Sequence, residues 1–254
     1  MKSLIHHHSK RWWMIVIVSM VIGLSVVVYA IYSLMSCSSY HEHTQQWQTT
    51  TKQRLDTALA LQATSPDQRS RRLTALKATT AYIRSSQTST CKPARLTGWQ
   101  LAFEGPKRMR GACAMYSKKV GLISGQLSRV TGYLEDEAQV TNLLRPALKL
   151  SGTVNEASWQ QTATVWSQAH TSISNLSASS EFNRTKQEAV SVTLALETTW
   201  KELIAAHDAK DKARFVAAIT KVQEAYTRLA GISTVNDSQL TFLTIRLQQL
   251  YSDL

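Results

Sequence analysis

The sequence predicts an all-α protein: one N-terminal membrane-spanning helix followed by an extracytoplasmic antiparallel helical bundle, as one bundle or two sub-bundles. Three observations carry this expectation. Residues 12–35, WWMIVIVSMVIGLSVVVYAIYSLM, form an uncharged run of 24, and about 20 apolar residues suffice for a helix to cross a bilayer core of roughly 30 Å. The rest of the chain is rich in Ala, Leu, Gln, Ser and Thr. Only 9 Gly and 4 Pro occur in 254 residues, few breakers for a strand-and-turn protein. Apolar residues recur at three- and four-residue intervals through much of the remaining sequence.

The run is flanked in the manner of a signal-anchor. Lys2, Lys10 and Arg11 precede it, and the next basic residue is Lys52. That bias places residues 1–11 in the cytoplasm and the C-terminal domain outside the cell membrane. Trp12, Trp13, Tyr29 and Tyr32 stand near the ends, where amphipathic rings suit the interface. His6, His7 and His8 read as a mobile tail. A secretory signal has a shorter apolar core of about 7–15 residues, so an uncleaved single-pass anchor is expected. Leu34-Met35-Ser36-Cys37 resembles the lipobox of bacterial lipoproteins, which would imply lipidation at Cys37 as an alternative tether. Met35 and the long apolar region depart from that pattern.

Beyond the span, residues 36–150 read as a basic, membrane-proximal helical region. Residues 37–134 carry a balance of +11 and residues 135–254 one of −2, within a chain of net charge +12. Gln45 to Gln62 continues the membrane helix, with Trp47, Leu55, Ala58, Leu59 and Gln62 near one stripe. Ser65-Pro66-Asp67 starts the next helix with a cap, a first-turn proline and an acid at the positive end. Leu73, Leu76, Thr80 and Ile83 give its inward face. Pro93, Gly98, Gly105, Pro106 and Gly111 predict a loop over 90–112. Tyr116, Val120, Ile123, Leu127, Val130 and Leu134 then share a helix face. Gly121 and Gly125 would admit a close neighbour, and Pro146 would kink or end the element.

Residues 151–254 predict a four-helix antiparallel bundle. Trp159, Ala163, Trp166, Ala169, Ile173 and Leu176 make one stripe. Ala189, Val192, Leu196, Thr199, Leu203 and Ile204 make another. Phe215, Ile219, Val222, Tyr226 and Leu229 make a third, closed by Gly231. Asn236-Asp237-Ser238 would cap a fourth with Leu240, Leu243, Leu247 and Leu250 inward. The two halves suggest a weak duplication without any fixed-period identity.

Three cysteines bound the redox chemistry. With Cys37 at the membrane, Cys91 and Cys113 remain as a disulfide pair, which an oxidising exterior permits. The bond would stabilise by roughly 3 kcal/mol in the chain-entropy model. The loop between them holds Lys92, Arg95, Lys107, Arg108 and Arg110 with Trp99 and Phe103 interleaved. This pattern suits anionic envelope polymer, lipid headgroups or an acidic protein partner. The bland alternative is a solvated loop whose aromatics plug the bundle end.

Other clusters read structurally. Arg69, Arg71 and Arg72 stand at a helix start, where cations oppose the dipole; a solvated face accounts for them, a partner role less often. Glu135-Asp136-Glu137 reads as a solvated face too. His170 and His207 read as satisfied core or boundary residues, and Trp159, Trp166 and Trp200 as core. His41 and His43 are poorly spaced for a shared helix face. No HExxH, GxSxG, GxGxxG or GxxxxGK[ST] pattern occurs, no cofactor or metal is implied, and no nucleic-acid-binding motif accompanies the basic charge. The sequence therefore points to a non-enzymatic, membrane-tethered binding or scaffold protein of the cell envelope. A structural subunit of a membrane complex, assembled through the span and the bundle, is the alternative, and no small-molecule substrate is evident.

Overall fold

The computed structural model describes residues 3–61, 66–90, 104–151 and 156–252. These form six α-helices, α1 (Ser3–Ala60), α2 (Pro66–Thr90), α3 (Glu104–Ser151), α4 (Trp159–Ser174), α5 (Asn183–Asp208) and α6 (Lys212–Ser252), with one 3-10 turn at Glu156–Ser158. No strand occurs among the described residues. The chain divides into two compact units: Met1–Thr51 with Arg84–Val120, and Lys52–Ile83 with Gly121–Leu254.

The first unit contains the apolar stretch of α1. Side chains there are described at Met14 and without a break over 16–32, and over the described residues no helix is long and apolar enough to cross a membrane. Farther along α1, Trp47 is buried against Tyr116 of α3, edge to face with centroids 4.8 Å apart. The Trp47 indole N–H donates to Ser86 Oγ of α2 at 2.6 Å. A buried tryptophan thus brings apolar area and also a satisfied donor.

The second unit is a helical bundle with its core on Leu55, Leu76, Leu127, Trp166, Ile173, Phe182, Leu196 and Leu247, all almost fully buried. Neighbouring helices run antiparallel, as the pairings show. Along α4 and α5, Ser167 meets Glu197 while His170 meets Val190. Along α5 and α6, Glu188 meets Arg228 while Glu202 meets Lys221. Along α3 and α6, Gln126 meets Leu243 while Tyr133 meets Asn236. Trp166 and Trp200 both donate toward the Tyr226 hydroxyl, at 3.2 and 3.4 Å, and both belong to the core.

Threonine is a modest helix former because its hydroxyl competes for the backbone. Here the competition is resolved inside the helix. Thr79, Thr162, Thr193 and Thr199 are buried, and each hydroxyl donates to the carbonyl four residues earlier at 2.8–2.9 Å. These four threonines therefore line helix interfaces with satisfied hydroxyls, whereas the Thr51 hydroxyl of α1, also buried, has no hydrogen-bond partner among the described residues.

Several expectations change. The loop predicted over 90–112 gives way to helix from Glu104 onward. Pro106 falls in the first turn, where a missing N–H costs no helical bond. Pro146 does not end α3, which continues to Ser151. Gly121 and Gly125 admit no close neighbour; a Cβ at either would meet nothing within 4 Å. The buried face of α2 is Arg72, Leu76, Thr79 and Ile83, with Leu73 and Thr80 only half-buried. The third and fourth C-terminal helices are one, α6, running through Gly231 and Asn236-Asp237-Ser238.

Candidate functional site

The polar centre of the second unit starts from α2. Arg69 and Arg72 lie three residues apart, so they share a helix face. Arg69 Nη1 donates to Glu137 Oε1 of α3, and Nη2 donates to Asp237 Oδ1 of α6 at 2.9 Å. One guanidinium fork therefore joins three helices, as its fixed planar donors allow.

Glu137 is buried. Burial pushes its carboxyl above the usual glutamate value, and the neighbouring Arg69 only partly offsets that effect. Beside it the Tyr133 hydroxyl donates to Asn236 Oδ1 at 3.1 Å and lies 3.4 Å from Thr185 Oγ1. Burial pushes the Tyr133 phenol up to about 12. Asp136, also buried, accepts both the backbone N–H and the hydroxyl of Ser179, at 2.8 and 2.5 Å. Glu135 pairs with Lys77 at 2.5 Å. The acidic trio is therefore not a solvated face. Two of its members are buried anchors, and the expectation fails because their partners lie far away in sequence.

Two clefts flank Arg69. One, of about 400 Å³, includes Asp67, Ser70, Glu137 and Arg145 in its lining. The other, of about 510 Å³, is bounded by Leu59 of α1, Arg69 and Arg72 of α2, and Asp237, Thr244 and Ile245 of α6. Arg72 is 8% exposed. Its Nη2 donates to Thr244 Oγ1 at 3.0 Å, while its buried Nε finds no acceptor. Desolvation alone lowers its pKa, and no carboxylate pairs with it among the described residues. Of the basic run, then, Arg69 and Arg72 turn inward while Arg71 is exposed, so a single solvated face does not account for the three.

The sequence-derived loop site stands elsewhere. Cys91, Lys92, Arg95, Trp99 and Phe103 lie outside the described residues. Lys107, Arg108, Arg110 and Cys113 fall on the backbone of α3, and Cys37 on that of α1, with their side chains outside what is described. No cluster of three or more His, Cys, Asp or Glu able to hold a metal occurs among the described residues. His207 packs edge to face on Trp159 and lies 3.1 Å from Glu156, and His170 lies 3.3 Å from the Val190 carbonyl. His170 is half-buried, as a boundary residue is, whereas His207 is exposed. The inward arginines left one trace in the sequence, their unfavourable position in the first turns of a helix.

No protein-family model, curated protein or solved structure matches this chain.

Proposed function

We propose that this protein is a single-pass, membrane-tethered binding module, its helical domain held at the outer face of a cell membrane by α1. One observation carries the reading. From Val16 to Tyr32 the large apolar side chains of α1 are exposed at every such position but Tyr29, which is half-buried, from 38% at Val16 to 69% at Met20. Successive positions turn by about 100°, so these residues cover every face of the helix. A helix that is apolar all round needs an apolar surrounding, and lipid supplies it.

The 17 residues from 16 to 32 rise about 25 Å, and the 24 uncharged residues from 12 to 35 about 36 Å. The second length exceeds a hydrocarbon core of roughly 30 Å. The stretch also suits lipid locally. The Ser25 hydroxyl donates to the Val21 carbonyl at 2.7 Å, satisfying within the helix a group that lipid could not. The three basic residues before the span orient the N-terminus inward.

The excess of positive charge over 37–134 suggests what the module docks: anionic envelope polymer or lipid headgroups. The segment bounded by Cys91 and Cys113 would supply shape, and Lys107, Arg108 and Arg110 charge.

Two measurements test the reading. Alkaline carbonate washing of membranes should leave the full chain in the pellet, and Val21→Arg with Val27→Arg should release it. Release of the unsubstituted chain would overturn the anchor. Full chain in neutral-lipid nanodiscs should bind vesicles containing phosphatidylglycerol less as salt rises, and lose binding when Lys107, Arg108 and Arg110 become Ala. Salt-insensitive binding, or none at low salt, would overturn the docking role.

A further inference from the structure

We infer that the cleft between α2 and α6 is a binding site for a monoanionic carboxylate carrying a short apolar chain, with Arg72 as its cationic anchor.

A guanidinium withdrawn from water is costly unless an anion and hydrogen-bond acceptors replace the water. Arg69, at the same cleft, meets that condition through Glu137 and Asp237. Arg72 does not. It keeps one neutral acceptor, the Thr244 hydroxyl, and an Nε–H without any. Yet it is more than nine-tenths buried and lines an open space of about 510 Å³. That volume lies in the range of small-molecule sites.

The lining narrows the ligand. Arg69 and Asp237 form a pair, so Arg72 is the uncompensated charge of this wall, and one negative charge balances it. A second would face Asp237. Leu59, Leu240 and Ile245 supply apolar surface, while Thr241, Thr244 and Gln248 supply hydrogen-bonding groups. A planar carboxylate matches the guanidinium fork, and its alkyl chain matches the leucine and isoleucine wall. This inference does not depend on the membrane reading, because the cleft lies wholly in the second unit.

The test uses the full chain in neutral-lipid nanodiscs, titrated with hexanoate, hexanamide and inorganic phosphate at matched ionic strength. Hexanoate should bind about ten-fold or more tightly than hexanamide, since a charged hydrogen bond replaces a neutral one. It should also bind more tightly than phosphate. Arg72→Gln should abolish the preference. Ile245→Trp, a change at an exposed residue, should block hexanoate while leaving Arg72 in place. Without ligand, Arg72→Met should raise the thermal midpoint, because it removes a buried charge lacking its partner. Equal binding of hexanoate and hexanamide, tighter phosphate binding, hexanoate binding unaffected by Ile245→Trp, or a lowered midpoint in Arg72→Met would each overturn the assignment.

Discussion

Tyr251, in the last turns of α6, donates a 2.8 Å hydrogen bond to Asp56 Oδ1 of α1. The two residues are separated by most of the chain, and the bond closes the second unit. The tyrosine is buried and the aspartate exposed, so water competes for one partner only. Tyr251→Phe should therefore destabilise by about 0.5–1.5 kcal/mol, read from denaturant unfolding of the full chain. Burial first, and then the Asp56 carboxylate, raise the Tyr251 phenol above its ordinary value. A raised tyrosine contributes stability that is complete below about pH 10 and lost as pH climbs toward the folded value. Ultraviolet titration should show the tyrosinate of Tyr251 appearing later than in the unfolded chain; simultaneous ionisation would contradict the burial argument.

Glu137 sets a second pH dependence, at the acid end. Burial raises its carboxyl above 4.5 despite Arg69, so between the unfolded and folded values the native state holds a proton that the unfolded chain has released. Stability contributed by that proton is present below the unfolded value and falls as pH rises through the window. Glu137→Gln should flatten this part of the stability–pH curve, measured by denaturant midpoints from pH 4 upward. A curve as steep as that of the unsubstituted chain would show that Arg69 cancels the effect of burial, and a steeper fall that Arg69 outweighs it.

The turn between α5 and α6 offers a direct test of backbone strain. The Asp211 N–H bonds the Ala206 carbonyl and the Lys210 N–H bonds that of His207, the paired pattern that closes a helix through a left-handed residue. Lys210 occupies that position with φ of 54°, where glycine fits without penalty. Asp211 then caps α6 by accepting from the Arg214 N–H at 3.0 Å. Lys210→Gly should stabilise by about 0.5–1 kcal/mol, seen as a higher thermal midpoint, whereas Lys210→Val should lower it.

These elements show which parts of the fold were legible in the sequence. The stripes led by Trp166, Leu196 and Val222 were readable because each helix buries one face, and periodicity records that directly. Helix ends were less so. The α5 start places Phe182 where a Ser or Asp is usual, with no side-chain cap; the ring is fully buried and stacks edge to face on Tyr133 at 5.1 Å. Packing outweighs capping there, and packing partners are not written locally. Asn236-Asp237-Ser238 misled for the converse reason. Asn236 accepts from Tyr133, Asp237 accepts from Arg69, and Ser238 Oγ donates back to the Thr234 carbonyl. Two of the residues that resemble a cap serve distant helices, and the third bonds back into the middle of its own. The Arg69–Glu137–Asp237 centre was hidden because its members lie 68 and 168 residues apart, and one sequence gives no means of pairing them.

The continuity of α6 yields the last prediction. Gly231 has the look of a terminator in sequence, yet no described glycine has a positive φ, and a Cβ added at Gly231 would meet nothing within 4 Å. In a continuous helix, alanine at this position restricts the unfolded chain without a clash. Gly231→Ala should therefore stabilise by about 0.5–1 kcal/mol. If the chain instead turned at Gly231 through a left-handed conformation, the same change would introduce strain and lower stability. The sign of the shift in the denaturant midpoint thus decides between one long helix and two short ones. Gly125→Ala, at an equally open helical position of α3, provides the reference: the two substitutions should shift the midpoint in the same direction and by similar amounts.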